Sequence, residues 1–378
     1  MMAPVRGSLN ITVIPIVESP DAPAAQTLPG AVLASPDDID ILVKTVEANT
    51  PAVVTFEHEH ISPHTLRMLG DIADVRPGAQ ALRYAQDKLA MRQRLSELWS
   101  SEGRKIAEIP LPRWRRCETV EEIDSFADEV GWPMVAKTPR GGYDGHGVRV
   151  IDTAAEVSDW LERGAILAEE RVNYRCEIAA LVARRPSGDI QCWPVVETIQ
   201  RNGICTEVIV PAPNVSAELA KQAQHIAENT ARALDVTGVM AVEMFVVGER
   251  LLINELAMRP HNCGHWTIEG SPTSQFTQHL RAVLDWPLGP TAALPGTWVM
   301  RNVLGTQLDD LSDAVPRALD ECPGINIHLY GKAPRPGRKL GHVTANAPTV
   351  DEARDLAARA VAILQGMDIT DNDEGNTA

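Results

Sequence analysis

The sequence predicts a mixed fold, α/β at its start and α+β beyond it. Three observations carry that expectation. "ITVIPIVE" (11–18) and "AVVTF" (52–56) are short apolar runs of strand length with helical segments between and after them, the mark of an α/β opening. "PMVAKT" (133–138) and "VRVI" (148–151) flank a glycine-rich turn, which makes a β-hairpin. "GVMAVEMFVVGERLLINELA" (238–257) is a second hairpin.

Between these landmarks the elements follow in order. The α/β opening covers roughly 85 residues. "DKLAMRQRLSELW" (87–99) has helical apolar spacing, and the proline-containing "IPLPRW" (109–114) is a linker or an edge strand. "VEEIDSFADEVG" (120–131) is a helix stopped at Gly131, and "AAEVSDWLERG" (154–164) is another. "AILAEERV" (165–172) is a strand leading to a charged crossover. "CEIAALVARR" (176–185) and the run 190–213 are antiparallel strands. "AELAKQAQHIAENTARALDV" (217–236) is an amphipathic helix, and "PTSQFTQHLRAVLDW" (272–286) is a helix again. A small β-rich piece around 324–344 precedes the last helix, 350–364, and the acidic tail 369–378 has the composition of a disordered segment.

A chain of 378 residues suggests two or three modules. Its 44% hydrophobic and 23% charged content is that of a soluble enzyme. The formal charge of −16 argues against a nucleic-acid partner, which needs a basic face. A small anion in a locally basic pocket is still permitted. No apolar run approaches the length of about 18 residues that a membrane span requires, and no signal-peptide pattern opens the chain. The six cysteines are scattered singly, without a C-x-x-C pair, so a reducing cytoplasm is the default.

The densest chemistry lies in "INELAMRPHNCGHW" (253–266). If the hairpin turn is the three-residue Gly248–Glu249–Arg250, Glu243 lies directly opposite Glu255 on one face. Carboxylates opposed at about 4.5–5.5 Å between Cβ atoms either share a proton or hold a cation. Mg²⁺ carrying phosphates suits such a pair, and Asn262 could add a neutral oxygen. The plainer alternative turns one glutamate to solvent. His261, Cys263 and His265 alternate as zinc ligands do, yet a structural zinc needs four ligands and no partner pair is visible. "KTPRGGYDGHG" (137–147) carries four glycines in seven residues at a hairpin tip. Glycines let backbone N–H groups approach phosphate, and Lys137 precedes them. No helix follows, so this is neither a P-loop nor a dinucleotide fingerprint.

A phosphate-cradling hairpin upstream of a carboxylate pair resembles the layout of the ATP-grasp superfamily. Within it, "KTPRGGYDGHG", "NELAMRPHNCGHWTIEGSPTSQF" (254–276) and "HLYGKAPRPGRKLGHV" (328–343) resemble the 5-(carboxyamino)imidazole ribonucleotide synthase family. "SPDAPAAQ" (19–26), "VTFEHEHI" (54–61) and "QDKLAMRQRL" (86–95) extend the likeness over residues 15–365. The resemblance implies an ATP-grasp fold with an N-terminal Rossmann-like domain over 1–100, a lid domain over 101–172, a central domain over 173–295 and a C-terminal subdomain over 296–368. It implies ATP and Mg²⁺ as cofactors, and bicarbonate and aminoimidazole ribonucleotide as substrates. The product is the carbamate, formed through carboxyphosphate in cytoplasmic purine (IMP) synthesis, commonly by a homodimer.

Roles follow by resemblance. Glu243 and Glu255, with Asn262, would hold Mg²⁺. Lys88, Lys137 and Asn254 would contact nucleotide, under a closing loop of Gly141, Gly142 and Gly145. "AEERV" (168–172), with Glu169, Glu170 and Val172, matches the linker at adenine, and Glu177 the carboxylate on the ribose. Arg259 would clamp bicarbonate or carboxyphosphate two oxygens at a time. Tyr143 and Asp144 match positions at the aminoimidazole, with Asp144 steering its amine. His261 and His265 would hydrogen-bond within the pocket wall, with His261 a candidate substrate contact, while Lys332, Arg335, Arg338 and Lys339 would take the 5′-phosphate.

The pattern departs from the family in four places. "MMAPVRGSLN" stands where a strand, a "GGGQLGRM"-like turn and a helix are usual, an absence expected to bare sheet edges and apolar surface. Either the start of the chain is placed too late or the chain is a divergent member. Met258 replaces a usual proline, Cys263 a usual serine, and "WSSEGRKIAEIPLPRW" (99–114) lengthens a linker. Two other readings therefore stand beside the carboxylase: an ATP-grasp ligase with another acceptor, and a nucleotide-binding protein without turnover.

Overall fold

The computed structural model describes residues 3–101, 111–142 and 146–367. Tyr143, Asp144, Gly145 and the tail 369–378 lie outside the described residues. Among the described residues, fifteen strands fall into three sheets. β1 (Ile16–Val17) and β2 (Val32–Leu33) make a two-stranded parallel pair. β3 (Trp114–Cys117), β4 (Met134–Lys137), β5 (Val148–Ile151) and β6 (Ile166–Glu170) form an antiparallel sheet in the order β3-β6-β4-β5. The third sheet holds β7 (Cys176–Arg184), β8 (Ile190–Cys192), β9 (Val196–Arg201), β10 (Ile204–Val210), β11 (Gly238–Val247), β12 (Arg250–Ala257), β13 (Thr297–Leu304), β14 (Ile325–Leu329) and β15 (Lys339–Ala347). Its order is β12-β11-β7-β9-β10-β13-β15-β14, with β8 on β7.

The strand expected over 11–18 shrinks to Ile16–Val17. Pro15 offers no N–H, so only its carbonyl joins the ladder, accepting from Val32 N at 2.9 Å. "AVVTF" is reduced to one parallel bridge, Val54 to Val75. The helix Ala3–Leu9 seats Val5 against Phe276 and Leu280. The β-rich piece at 324–344 is no separate body, because β14 and β15 continue the large sheet through β13. Its apolar face is covered by the helix Val350–Gln365, which is opened by a Thr349/Glu352 capping box and closed at Gly366.

Under the cleft, Ser216 caps the helix Ala217–Ala233, and Leu219, Ala223, Ile226 and Ala227 bury its apolar stripe in the core shared with β7, β11 and β12. Met91 and Leu95 of the helix Lys88–Ser101 enter the same core. These two anchors fix the first two turns of that helix, which carry Lys88 and Arg92, beside the β11–β12 hairpin.

Candidate active site

A cleft runs between the β3–β6 sheet and the β11–β12 hairpin, and both Glu243 and Glu255 line it. The two are register partners, as the sequence predicts, but by a different route. Val247 pairs with Arg250, so the turn holds only Gly248 and Glu249, not three residues. Left alone, that shorter turn would break the Glu243–Glu255 opposition. A bulge restores it: Met244 pairs with Ile253 and Glu243 with Glu255, leaving Asn254 as the extra residue. Asn254 Oδ1 accepts from Lys137 Nζ at 3.0 Å.

Glu255 is 43% exposed and accepts from Lys88 Nζ at 2.8 Å. Glu243 sits deeper, 19% exposed, with His261 Nε2 at 3.4 Å from Oε1. Burial, then the charges of Glu255 and Glu177, push the Glu243 carboxyl up to about 8. Burial and the neighbouring Arg259 hold His261 well below its usual range, so it faces Glu243 as a neutral ring. Among the described residues no group of three His, Cys, Asp or Glu could cage a metal. Two carboxylates without a cage fit Mg²⁺ only in company with phosphate oxygens.

The cationic side is built across sheets. Lys137 Nζ lies 2.6 Å from Glu169 Oε2, and Arg92 Nε donates to Glu169 Oε1 at 2.5 Å. Burial alone would raise the Glu169 carboxyl, yet Arg92 and Lys137 outweigh it and hold it down at about 2. Both oxygens of Glu169 are thus engaged inside the protein. Arg92, absent from the sequence reading, is fully buried and also donates through Nη2 to Asn254 O at 2.9 Å. Glu170 Oε1 accepts from Arg113 N at 2.8 Å, and Val172 lines the cleft. Glu177 accepts from Tyr174 Oη at 2.7 Å, and burial raises its carboxyl. Tyr174 stacks on Phe245 with centroids 4.5 Å apart, an aromatic wall beside Glu177 that the sequence reading did not single out.

The described part of the glycine loop meets the helix start. Gly141 has φ +76°, and a Cβ on Gly142 would stand 2.8 Å from His146 O and 3.6 Å from Lys88 Cε. Lys88 N donates to Pro139 O at 2.9 Å, and Arg140 Nε to Asp87 Oδ2 at 2.9 Å.

Arg259 lines the cleft with its Nε 3.4 Å from Glu59 Oε2. Glu59 Oε1 accepts from Met258 N at 2.5 Å, so one carboxylate holds both the arginine and the backbone amide of the residue before it. Glu59 is a second residue that sequence reasoning left unassigned, although it lies inside "VTFEHEHI". Asn262 and His261 also line the cleft. Cys263 is buried, 3.2 Å from His261 Nδ1. His265 does not line the cleft: its Nδ1 lies 3.0 Å from Gln275 Nε2, and it stacks on His342 at 4.8 Å. Of the expected phosphate cluster only Lys339 lines the cleft. Lys332 lies over the Tyr330 ring at 5.4 Å, and Arg338 Nη1 donates to Ala333 O at 3.0 Å. These local turn contacts hold Lys332 and Arg338 off the cleft wall. No helix is long and apolar enough to cross a membrane among the described residues.

Comparison with known proteins finds two matching families along the chain. The ATP-grasp domain family matches residues 104–276, and the phosphoribosylaminoimidazole carboxylase C-terminal domain matches residues 299–356. N5-carboxyaminoimidazole ribonucleotide synthase of Mycobacterium tuberculosis is 46% identical over 356 residues, covering 91% of this chain and 80% of that protein. The crystal structure of N5-carboxyaminoimidazole ribonucleotide synthetase from Thermus thermophilus superposes with a TM-score of 0.85 at 32% identity, covering 98% and 96% of the two chains. The Aspergillus clavatus synthase in complex with ADP and 5-aminoimidazole ribonucleotide superposes with a TM-score of 0.83 at 29% identity, covering 97% and 96%. With both family models matched in order and 46% identity to a relative over 91% of its length, the chain belongs to the N5-carboxyaminoimidazole ribonucleotide synthase family.

Proposed function

We infer that this protein is an ATP-dependent carbon–nitrogen ligase that carboxylates 5-aminoimidazole ribonucleotide to its N5-carboxyamino product in purine biosynthesis. The observation that carries the site assignment is the convergence of Glu243, Glu255, Lys88 and Lys137 on one cleft. Bicarbonate oxygen attacks the γ-phosphorus, and the bond to the bridging oxygen of ADP breaks. The amine nitrogen then bonds to the carboxyphosphate carbon, phosphate departs, and the nitrogen loses one proton.

This chain's residues supply position and charge, which is what phosphoryl transfer needs. Lys137 and Lys88 approach the phosphates, and Gly141 and Gly142, with Gly145, let the loop close on them. Glu170, Val172 and Glu177 border the nucleoside, with the Tyr174–Phe245 pair behind. Glu243 and Glu255, with Asn262, would hold Mg²⁺, whose chemistry is to neutralise charge on the phosphate oxygens. Arg259, aligned by Glu59, receives bicarbonate. Tyr143 and Asp144 are assigned to the aminoimidazole by resemblance, and Lys339, the member of the basic run that lines the cleft, to its phosphate. A cytoplasmic homodimer completes the reading.

The test is ADP release measured with each substrate omitted in turn. The reading requires release that depends on both bicarbonate and 5-aminoimidazole ribonucleotide. Tight ATP binding without ADP release under full conditions would identify a nucleotide binder, and release supported by another amine would identify a different ligase.

A further inference from the structure

Arg92 is a fully buried guanidinium on the first turns of the helix Lys88–Ser101, outside the lining of the cleft. An arginine there is costly unless something is gained, because taking the charge from water is penalised before any pairing. Its contacts reach two other elements. Nε holds Glu169 Oε1 on β6 at 2.5 Å, and Nη2 holds the carbonyl of the bulged Asn254 on β12 at 2.9 Å. Each of those two residues in turn holds Lys137 on β4: Glu169 Oε2 lies 2.6 Å from Nζ and Asn254 Oδ1 lies 3.0 Å from it.

A lysine ammonium has three donors. Glu169 and Asn254 take two, and Lys137 lines the cleft, so the third is available there. Both acceptors are themselves pinned by the one guanidinium. Without it, Glu169 could swing to meet Lys137 with both oxygens, and the Asn254 bulge would lose the bond that fixes its carbonyl. The same bulge sets Glu243 opposite Glu255.

We propose that Arg92 is a positioning residue for nucleotide: it acts through Glu169 and Asn254 to aim Lys137 at the phosphates and to hold the β12 bulge. It touches neither substrate nor nucleotide. The inference rests on the assignment of Lys137 to the phosphates, and Lys137→Met tests that assignment separately, since an unchanged ATP KM in that variant would remove it whatever Arg92 does.

The experiment compares Arg92→Met and Arg92→Lys in the full chain, with KM for each of the three substrates, kcat, and ADP affinity by calorimetry. Arg92→Met is expected to raise KM for ATP and the ADP Kd at least about tenfold, the worth of one charge-assisted hydrogen bond, with KM for 5-aminoimidazole ribonucleotide unchanged. Arg92→Lys keeps the charge on Glu169 but cannot fork to Asn254, and should return the ATP KM to about two- to fivefold above the parent. A folded Arg92→Met with parental ATP KM and ADP Kd overturns the proposal. An equal rise in all three KM values also overturns it, because that is general damage. If Arg92→Met does not fold, Arg92→Lys decides: an ATP-selective rise supports the proposal, and parental values for every substrate overturn it.

Discussion

Glu243 and Glu255 face each other across β11 and β12 although the turn joining the strands is one residue shorter than their opposition requires. The bulge at Asn254 absorbs the difference. Shifting a strand by one residue exchanges its faces, so without the bulge one of the two carboxylates would leave the cleft. The bulge also brings Asn254 Oδ1 to Lys137, joining the carboxylate pair to the lysine side of the site.

Glu255→Ala removes one cross-strand carboxylate and the partner of Lys88. Steady-state assays should show kcat reduced at least about a hundredfold, the scale of losing a fixed electrostatic contact to the transferring group. The Mg²⁺ dependence should also become shallow. Parental turnover would remove Glu255 from the metal assignment.

Glu169 gives a pH signature. Its carboxyl is held at about 2 by Arg92 and Lys137 despite burial, against an ordinary 4.5. A depressed carboxyl stabilises the fold above its unfolded value and loses that contribution as pH falls towards the folded one. Unfolding free energy should therefore drop between pH 4.5 and about 2 more steeply in the parent than in Glu169→Gln, as denaturant midpoints would show. Parallel curves would contradict the buried charge cluster.

Glu59→Gln keeps the shape beside Arg259 and removes the charge that orients it. KM for bicarbonate should rise about tenfold while KM for ATP stays within twofold or so, since one charge-assisted contact is weakened. A rise confined to ATP would place Arg259 with the nucleotide instead.

Gly142→Ala puts a Cβ 2.8 Å from His146 O and against the Lys88 side chain. Nucleotide affinity should fall several-fold by calorimetry, because the loop backbone must shift to clear the His146 carbonyl. Unchanged affinity would show that the described part of the loop does not close on nucleotide.

Much of this site is legible in the sequence because its signals are local. The β11–β12 hairpin announces itself by alternation, and glycines crowded between two strands mark the loop before Gly147. What is not legible depends on partners far apart in the chain. Arg92 reads as an ordinary polar position on an amphipathic helix until Glu169, from another sheet, neutralises it. Glu59 sits among histidines in "FEHEH" with no periodicity to mark it, and gains a role only when Arg259 arrives beside it. The bulge is invisible for another reason: a three-residue turn and a two-residue turn with a bulge give the same Glu243–Glu255 pairing. Lys332 and Arg338 are the converse case, since a basic run in an acidic protein suggests a phosphate site while local turn contacts place them off the cleft wall. Pro15 shows how one residue cancels a strand signal, by removing the donor that the ladder needs.

The most direct test of the account follows the carbon atom. Protein incubated with ATP, Mg²⁺, ¹³C-labelled bicarbonate and 5-aminoimidazole ribonucleotide should build a ¹³C carbamate signal on the exocyclic nitrogen, appearing in step with ADP. Label and ADP should form together, and both should vanish when the ribonucleotide is omitted. ADP formed in the full mixture with no labelled carbamate would contradict it.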